Sequence, residues 1–471
     1  MLFCKPELSL SGGILRLLST ISAAGLLVAP GIFRDIGLLY GVLLVYFIAA
    51  ISLLALLLQV QVIRYVPLRY SSYFTLAQIT SPSLAILFDI SIALKGFLSC
   101  VIELIVIRDF LPEFSVGTKP SIVNFLIGKR CLLGILTFLI IGPLCWSKGN
   151  DLFKYLTRSI VGTVAFFTAV LVYYSIVPPN QQGDDTFTPE IDHILKHPSI
   201  FNAVAILFFI FGCQHSMFGV INEQKDKLFR GIRRIAFISV SIQLGVVLLI
   251  CTSGYMAFKS NMKDNIINNF PNTVAVIILK IMFILLMIIT FPCQCYAQRA
   301  AFHRIYNWAT TTAESEDIAQ NEYGHSRNSD ASTSNIVISE TTPLLMCEGH
   351  TIPIEELVEE GSVRQFDIRP VSETTYTIMT IGIVLCAYAF TLLSVSLVEL
   401  VVVIGSTSST LISLILPGLF AYRLVGSEYI SYEGHIPFLT KFYRDAGLIL
   451  AIFGILIITT FLIFILPLDI I

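Results

Sequence analysis

What this chain lacks most is charge. Asp, Glu, Lys and Arg make up 13% of its 471 residues, while 55% are hydrophobic. A soluble domain carries about 25% charged residues, so a soluble enzyme of ordinary composition is excluded. The few charges are also segregated: Leu132–Leu144 and Ile281–Ile289 have none, whereas Thr310–Pro370 holds many. No Gly-x4-Gly-Lys-Ser/Thr phosphate loop occurs, so a nucleotide site of that type is not expected. The ten cysteines show no zinc-type spacing beyond the weak pair Cys293 and Cys295. They read as small apolar residues, and no metal is expected. No Asn-x-Ser/Thr acceptor is present, so N-glycosylation is not expected. A net charge of −2 offers nothing to a nucleic acid.

What the sequence has instead is a series of apolar stretches, each long enough to cross about 30 Å of hydrocarbon. Unbroken runs of this kind predict helices rather than the short alternating strands of a β-barrel. The expected fold is therefore an all-α multi-pass membrane protein of about eleven transmembrane helices. They fall near residues 13–32, 37–60, 84–107, 131–147, 158–177, 200–220, 235–256, 272–294, 375–396, 398–422 and 446–468. The first lacks a basic leader and runs straight into the second, so it reads as a span and not a cleaved signal.

Orientation follows from where lysine and arginine collect. Loops on the N-terminal side hold most of them, including the cluster Lys225–Arg234, whereas the opposite loops hold only Arg34, Arg108, Lys119, Lys129, Arg130, Lys196, Lys259 and Lys263. This predicts a cytoplasmic N-terminus and a luminal C-terminus. The chain divides into residues 1–304 with helices one to eight, a polar insertion at 305–373, and residues 374–471 with helices nine to eleven. The insertion is rich in Ser, Thr, Asn and Glu, too polar to build a core, and is expected to be a disordered cytoplasmic loop. Glu340 precedes the pair Leu344-Leu345 by four positions there, the spacing of dileucine sorting signals that coat adaptors read on the way to vacuoles or lysosomes. The loop Pro178–Ser199 carries several acids together with His193 and His197, and reads as a solvated acidic loop.

Irregular backbone survives in a membrane only where it lines a cavity or is covered by protein. Two spans carry such interruptions. Span one holds Ser22-Ala23-Ala24-Gly25 and then Pro30-Gly31; span six holds Gly212-Cys213-Gln214-His215-Ser216 after an apolar run. They are the first helices of two five-helix halves, the arrangement in which transporters place substrate between paired broken helices. Free N–H groups and positive helix ends suit a carboxylate, and free carbonyls suit an ammonium group, so the site fits a small zwitterion such as an amino acid. Charges inside spans are functional candidates by default. In span three Asp89 and Glu103 stand fourteen residues apart, about four turns, and share one face. Glu103 reads either as a snorkelling partner of Arg108 or as a proton-binding carboxylate that could also select substrates. His215 is the second candidate for proton coupling. Asp89, Glu103, His215 and Lys280 stand at different depths, which argues against an intramembrane enzyme.

In order along the chain, several stretches resemble the amino acid/auxin permease family, most closely its fungal vacuolar amino-acid transporter branch. Gly13–Pro30 is similar to the family's first helix, with Gly37 and Gly41 at its usual glycines. Leu104–Pro112 resembles the end of its third helix. Cys213-Gln214-His215-Ser216-Met217-Phe218 resembles the sixth-helix signature Cys-His-Gln-Asn-Met-Phe. Phe291–Cys295 matches the eighth helix, and Gly405–Thr410 with Pro417–Phe420 the tenth. The resemblance implies a LeuT-type 5+5 inverted repeat plus one C-terminal helix, in a secondary amino-acid transporter of the vacuolar or lysosomal membrane. No cofactor is implied beyond a coupling ion, expected to be the proton, and the expected direction is export to the cytosol. Carried over, Ser22, Ala23, Ala24 and Gly25 bind the substrate carboxylate, and Cys213, Gln214, His215 and Ser216 face it from the second broken helix. Departures stand at Ala23 for a glycine, at the exchanged Gln214 and His215, at Ser216 for asparagine, and at Glu103 for an aromatic residue. The competing expectations are an amino-acid sensor with little flux and a plasma-membrane sodium-coupled carrier.

Overall fold

The structure is a computed structural model, and it describes residues 9–65, 73–80, 82–111, 128–146, 151–178, 197–224, 229–259, 262–325, 373–393, 395–427 and 437–465. The dileucine segment with Glu340, Leu344 and Leu345 lies outside the described residues, as does the loop that carries His193.

Apart from short 3-10 and π turns, the ordered elements are α-helices, as a chain immersed in hydrocarbon requires when its backbone must satisfy itself. In chain order they are α1 (Leu10–Leu18), α2 (Ala23–Ile36), α3 (Leu38–Val62), α4 (Tyr73–Thr80), α5 (Pro82–Phe110) and α6 (Lys129–Leu136). Then come α7 (Asp151–Ile176), α8 (His197–Ile210), α9 (Gln214–Glu223), α10 (Phe229–Phe258) and α11 (Val274–His325). The last are α12 (Glu373–Leu392), α13 (Leu397–Ile404), α14 (Leu416–Leu424) and α15 (Phe438–Thr460). Among the described residues nine helical stretches are long and apolar enough to span, or ten if the bent pair α1–α2 counts as one. The expected fourth span is not among them: α6 continues through a π turn at Thr137–Ile141 to Cys145. At 1.5 Å per residue its seventeen residues reach about 26 Å, less than the hydrocarbon thickness.

The interruptions fall slightly upstream of where small residues and Pro30 suggest. Pro30 stays inside α2, and the break comes at residues 19–22, where α1 and α2 meet at 64°. In span six the break is confined to Phe211–Cys213, and Gln214 already begins α9. The helix α11 runs on to His325, into the segment expected to be loop.

α5 packs along α11 in antiparallel register. Asp89 meets Arg304 near one end of the seam, and Glu103 faces Thr290 farther along. The shared face of Asp89 and Glu103 is therefore turned to α11. The snorkelling pair of Glu103 with Arg108 does not form: Arg108 donates to Asp109 and to the Thr391 carbonyl at 3.1 Å, while Glu103 is buried.

Candidate functional site

Ser22 caps α2: its hydroxyl accepts from the Gly25 N–H at 3.2 Å, and its carbonyl from the Leu26 N–H at 3.1 Å. The first-turn N–H groups of a helix have no acceptor within it, so those of Ala23 and Ala24 are left at the positive end of α2. On the other side of the gap, Ser19 and Thr20 turn their hydroxyls back onto the carbonyls of Arg16 and Leu17, at 2.7 and 2.6 Å. This start of α2 lies directly against the end of α8. A Cβ on Gly25 would stand 2.8 Å from Ile210 Cγ1 and 3.1 Å from Phe209 Cδ1. A Cβ at this point must displace the Ile210 and Phe209 side chains, and a larger side chain must part the two helices. The start of α2 thus lies beside the end of α8, next to the second break.

The second break is held by polar side chains from neighbouring helices. Gln243 of α10 donates to the Ile210 carbonyl at 2.8 Å, and Ser52 of α3 to the Phe211 carbonyl at 3.1 Å. Gln214 donates to the Ser52 hydroxyl at 2.8 Å, so its amide is turned into α3. Gln59 donates to the Gln214 carbonyl at 3.2 Å and to the Tyr73 hydroxyl, which in turn reaches the Ile412 carbonyl at 3.0 Å. Interhelical hydrogen bonds of this kind hold helices together where apolar burial gives no advantage over lipid. They keep the strand between α8 and α9 unwound without leaving its carbonyls bare.

His215 differs from Gln214 in direction. Its Nδ1 lies 3.0 Å from the Gly212 carbonyl, and it is less covered than Cys213 and Gln214 beside it, which are buried. Ser216 is half-buried, and its N–H closes onto the Cys213 carbonyl at 3.1 Å. Glu103 is not part of this cluster. It lies eight residues beyond Lys95 on α5, about 12 Å along the axis, and one of its carboxyl oxygens meets no hydrogen-bond partner among the described residues.

Lys95 is the residue of α5 that does reach the break. Its ammonium stands 3.5 Å from the point a Cβ on Gly212 would occupy. A further polar group comes from the span Leu397–Leu424, where two π turns, Gly405–Ser409 and Leu411–Ile415, replace regular helix. Ser408, Ser409 and Ser413 are buried there with hydroxyls that meet no partner among the described residues. π turns recur at functional sites because they expose backbone groups that an α-helix would consume. Sequence reasoning noted Lys95 only as a charge inside span three and Ser408 and Ser409 only within the tenth-helix motif, and gave Ser52, Gln59, Tyr73, Gln243 and Ser413 no role. The available signal was polarity inside otherwise apolar spans.

The two ends of the bent pair are tied to other elements. Arg16 of α1 pairs with Glu223 at the end of α9. At the far end of α2, Arg34 donates to the Met262 carbonyl at 2.6 Å and approaches Asp264 at 3.5 Å. The described residues contain no group of three or more His, Cys, Asp or Glu able to hold a metal ion.

Known proteins share this design. The sequence profile of the family described as transmembrane amino acid transporter protein matches residues 7–466. The chain is 30% identical to vacuolar amino acid transporter 6 of Saccharomyces cerevisiae, across 96% of this chain and 97% of the yeast protein. It is 28% identical to vacuolar amino acid transporter 5 of the same yeast, across 94% and 95%. Among solved structures, the LeuT-fold transporter MhsT in complex with L-phenylalanine superposes with a TM-score of 0.54 at 12% identity, covering 97% of this chain and 99% of MhsT. A manganese transporter of Eremococcus coleocola gives 0.51 at 11% identity, covering 96% and 87%. Likeness at such low identity is one of fold.

Proposed function

Because the chain belongs to the transmembrane amino acid transporter family, whose members are transporters and not enzymes, we propose that it carries amino acids across the vacuolar or lysosome-like membrane by alternating access. One observation carries this reading: two broken helices meet, with Gly25 at the start of α2 packed against Phe209 and Ile210 at the end of α8, next to the unwound segment Phe211–Cys213. A substrate carboxylate fits the positive end of α2, and an ammonium group is drawn to the negative ends of the α1 and α8 dipoles. The ties Arg16–Glu223 and Arg34–Met262 lie at opposite ends of the pair; opening them in turn would expose the site to one side and then the other.

The coupling ion in this reading is the proton, with Glu103 and His215 as the groups that carry it. A proton moving down its gradient supplies about 1.4 kcal/mol per pH unit, and a membrane potential adds about 2.3 kcal/mol per charge per 100 mV. An acidic lumen then drives export to the cytosol, with the N-terminus cytoplasmic, the C-terminus luminal, and Glu340, Leu344 and Leu345 read by a sorting adaptor. Flux of a panel of amino acids, measured in vesicles of known orientation with an imposed pH gradient, tests the whole reading. Export that follows the gradient and collapses with a protonophore is the expected result. Glu103→Gln should abolish the response to pH while leaving exchange between equal pools. Binding without flux under every gradient would overturn the carrier.

The close approach at Gly25 makes a second test. Gly25→Ala meets a flexible Ile210 side chain and should keep most of its flux. Gly25→Val must separate α2 from α8, and ångström-scale misplacement of binding groups costs roughly a hundredfold in rate. Flux and melting temperature measured together should show valine losing the first far more than the second.

A further inference from the structure

We infer that a phospholipid of net negative charge binds between the helical segment ending at Cys145 and α12, with its phosphate on Arg299 and an acyl chain in the apolar groove alongside. Arg299 of α11 is 5% exposed. Its Nη1 donates to the Cys145 carbonyl at 2.7 Å and to the Thr380 hydroxyl at 2.8 Å. The Tyr376 ring covers one face of the guanidinium, with Cζ 4.2 Å from the ring centroid. The remaining edge, Nε and Nη2, is buried and meets no partner among the described residues. A carbonyl, a hydroxyl and a ring thus surround a full positive charge that no carboxylate among those residues balances. Burying a charge without a counter-charge is costly, and an ionised residue within a span normally has a partner or a function. The Nε–Nη2 edge is one that receives two oxygens of a single carboxylate or phosphate in parallel.

The surroundings select the kind of anion. A groove of about 220 Å³ runs between the two elements, with Phe138, Gly142 and Trp146 on one wall and Ile381, Val384 and Leu385 on the other. Trp146 follows Cys145, and Val384 stands one turn beyond Thr380 on the same face of α12, so the residues that hold Arg299 close one end of the groove. At the other end the rings of Phe138 and Tyr388 meet edge to face at 5.2 Å. Phe138, Trp146, Ile381 and Leu385 are 45%, 40%, 43% and 49% exposed, so the groove opens toward the hydrocarbon. The π turn Thr137–Ile141 forms part of its wall, an irregularity that recurs at functional sites. An apolar slot that leads from an unbalanced cation into the bilayer fits a ligand whose charge and chain are joined. Charge balance then favours an acidic headgroup over a zwitterionic one, whose phosphate already has a cation of its own. In the orientation proposed above, this end of α12 faces the cytoplasmic leaflet, where anionic lipids are found.

The test uses the full chain, purified in detergent, and native mass spectrometry with phosphatidylserine and phosphatidylcholine of identical chains offered in competition. Phosphatidylserine is expected to be retained at least about tenfold more, as a hydrogen bond to a charged group implies. Arg299→Gln should bring the two lipids to parity. Arg299→Lys keeps the charge without the two-pronged edge and should keep part of the preference. Leu385→Trp fills the groove from its exposed side, leaves Arg299 in place, and should also bring the two lipids to parity. A melting curve shows which variants are folded, and the wild-type ratio and Leu385→Trp decide the matter if Arg299→Gln is not. Equal retention of the two lipids by the wild type overturns the inference, as does a preference that survives in either folded variant. Inorganic phosphate alone raising the melting temperature as much as phosphatidylserine overturns it too, in favour of a free anion. The carrier reading is tested separately by flux and stands or falls without this site.

Discussion

Replacing Gly405 with alanine is expected to leave little folded protein in the membrane. A Cβ at this position would lie 1.9 Å from the carbonyl oxygen of Ala205 and 2.5 Å from its carbonyl carbon. Both are backbone atoms of α8, one turn before its interrupted end, so no rotamer change can relieve the clash. The two helices would have to move apart. Overpacking a core costs about 1–3 kcal/mol where side chains can adjust, and more is expected where they cannot. Gly405 also opens the first π turn, and Thr410 donates back to its carbonyl at 2.7 Å. Displacing it moves the buried serines along with the helix. Fluorescence-detected chromatography after expression, with a thermal ramp on whatever is recovered, should show a monodisperse wild type and an aggregated or missing variant. An Ala variant as stable as the wild type would mean that the two backbones do not touch.

Much of this architecture is legible in the sequence, for physical reasons that also mark where legibility stops. Uninterrupted apolar runs must be helices in lipid, so the spans fall where those runs are, although the eighth helix runs on to His325, the eleventh begins at Phe438, and among the described residues the segment ending at Cys145 is below spanning length. The breaks are visible because small and polar residues interrupt apolar runs, yet their limits depend on neighbours. Pro30 looks like the breaker and remains helical, while the real break is set by Ser22 capping α2 and by Gln243 and Ser52 binding the end of α8. Those partners come from helices more than thirty residues away or from the other half of the chain, and no local pattern announces them. Direction around one helix is a different matter. Residues 89 and 103 share a face by simple helical arithmetic, and Lys95, six residues after Asp89, falls about 240° round from it. Its place on a different face from the two carboxylates therefore follows from the sequence. That it faces the second break depends on how α5 packs, which a single sequence does not display.

Asp89→Leu should be the most destabilising exchange on α5. The carboxylate of Asp89 is 4% exposed and accepts from Arg304 Nε at 2.8 and 3.0 Å. Removing one member of a buried ion pair costs about 3–5 kcal/mol, because the survivor keeps its desolvation penalty without its partner. The Arg304 side chain is 28% exposed, so it can partly recover solvent and the loss should fall at the lower end of that range. The double variant Asp89→Leu, Arg304→Leu removes both charges and should recover most of the melting temperature, as apolar replacements of whole buried pairs commonly do. Flux through the double variant then separates two roles for the seam. If transport returns with stability, the pair is a clamp that fixes the scaffold beneath the moving helices. If stability returns and transport does not, the pair is opened or remade during the cycle, and α5 and α11 shift relative to one another as the site changes sides.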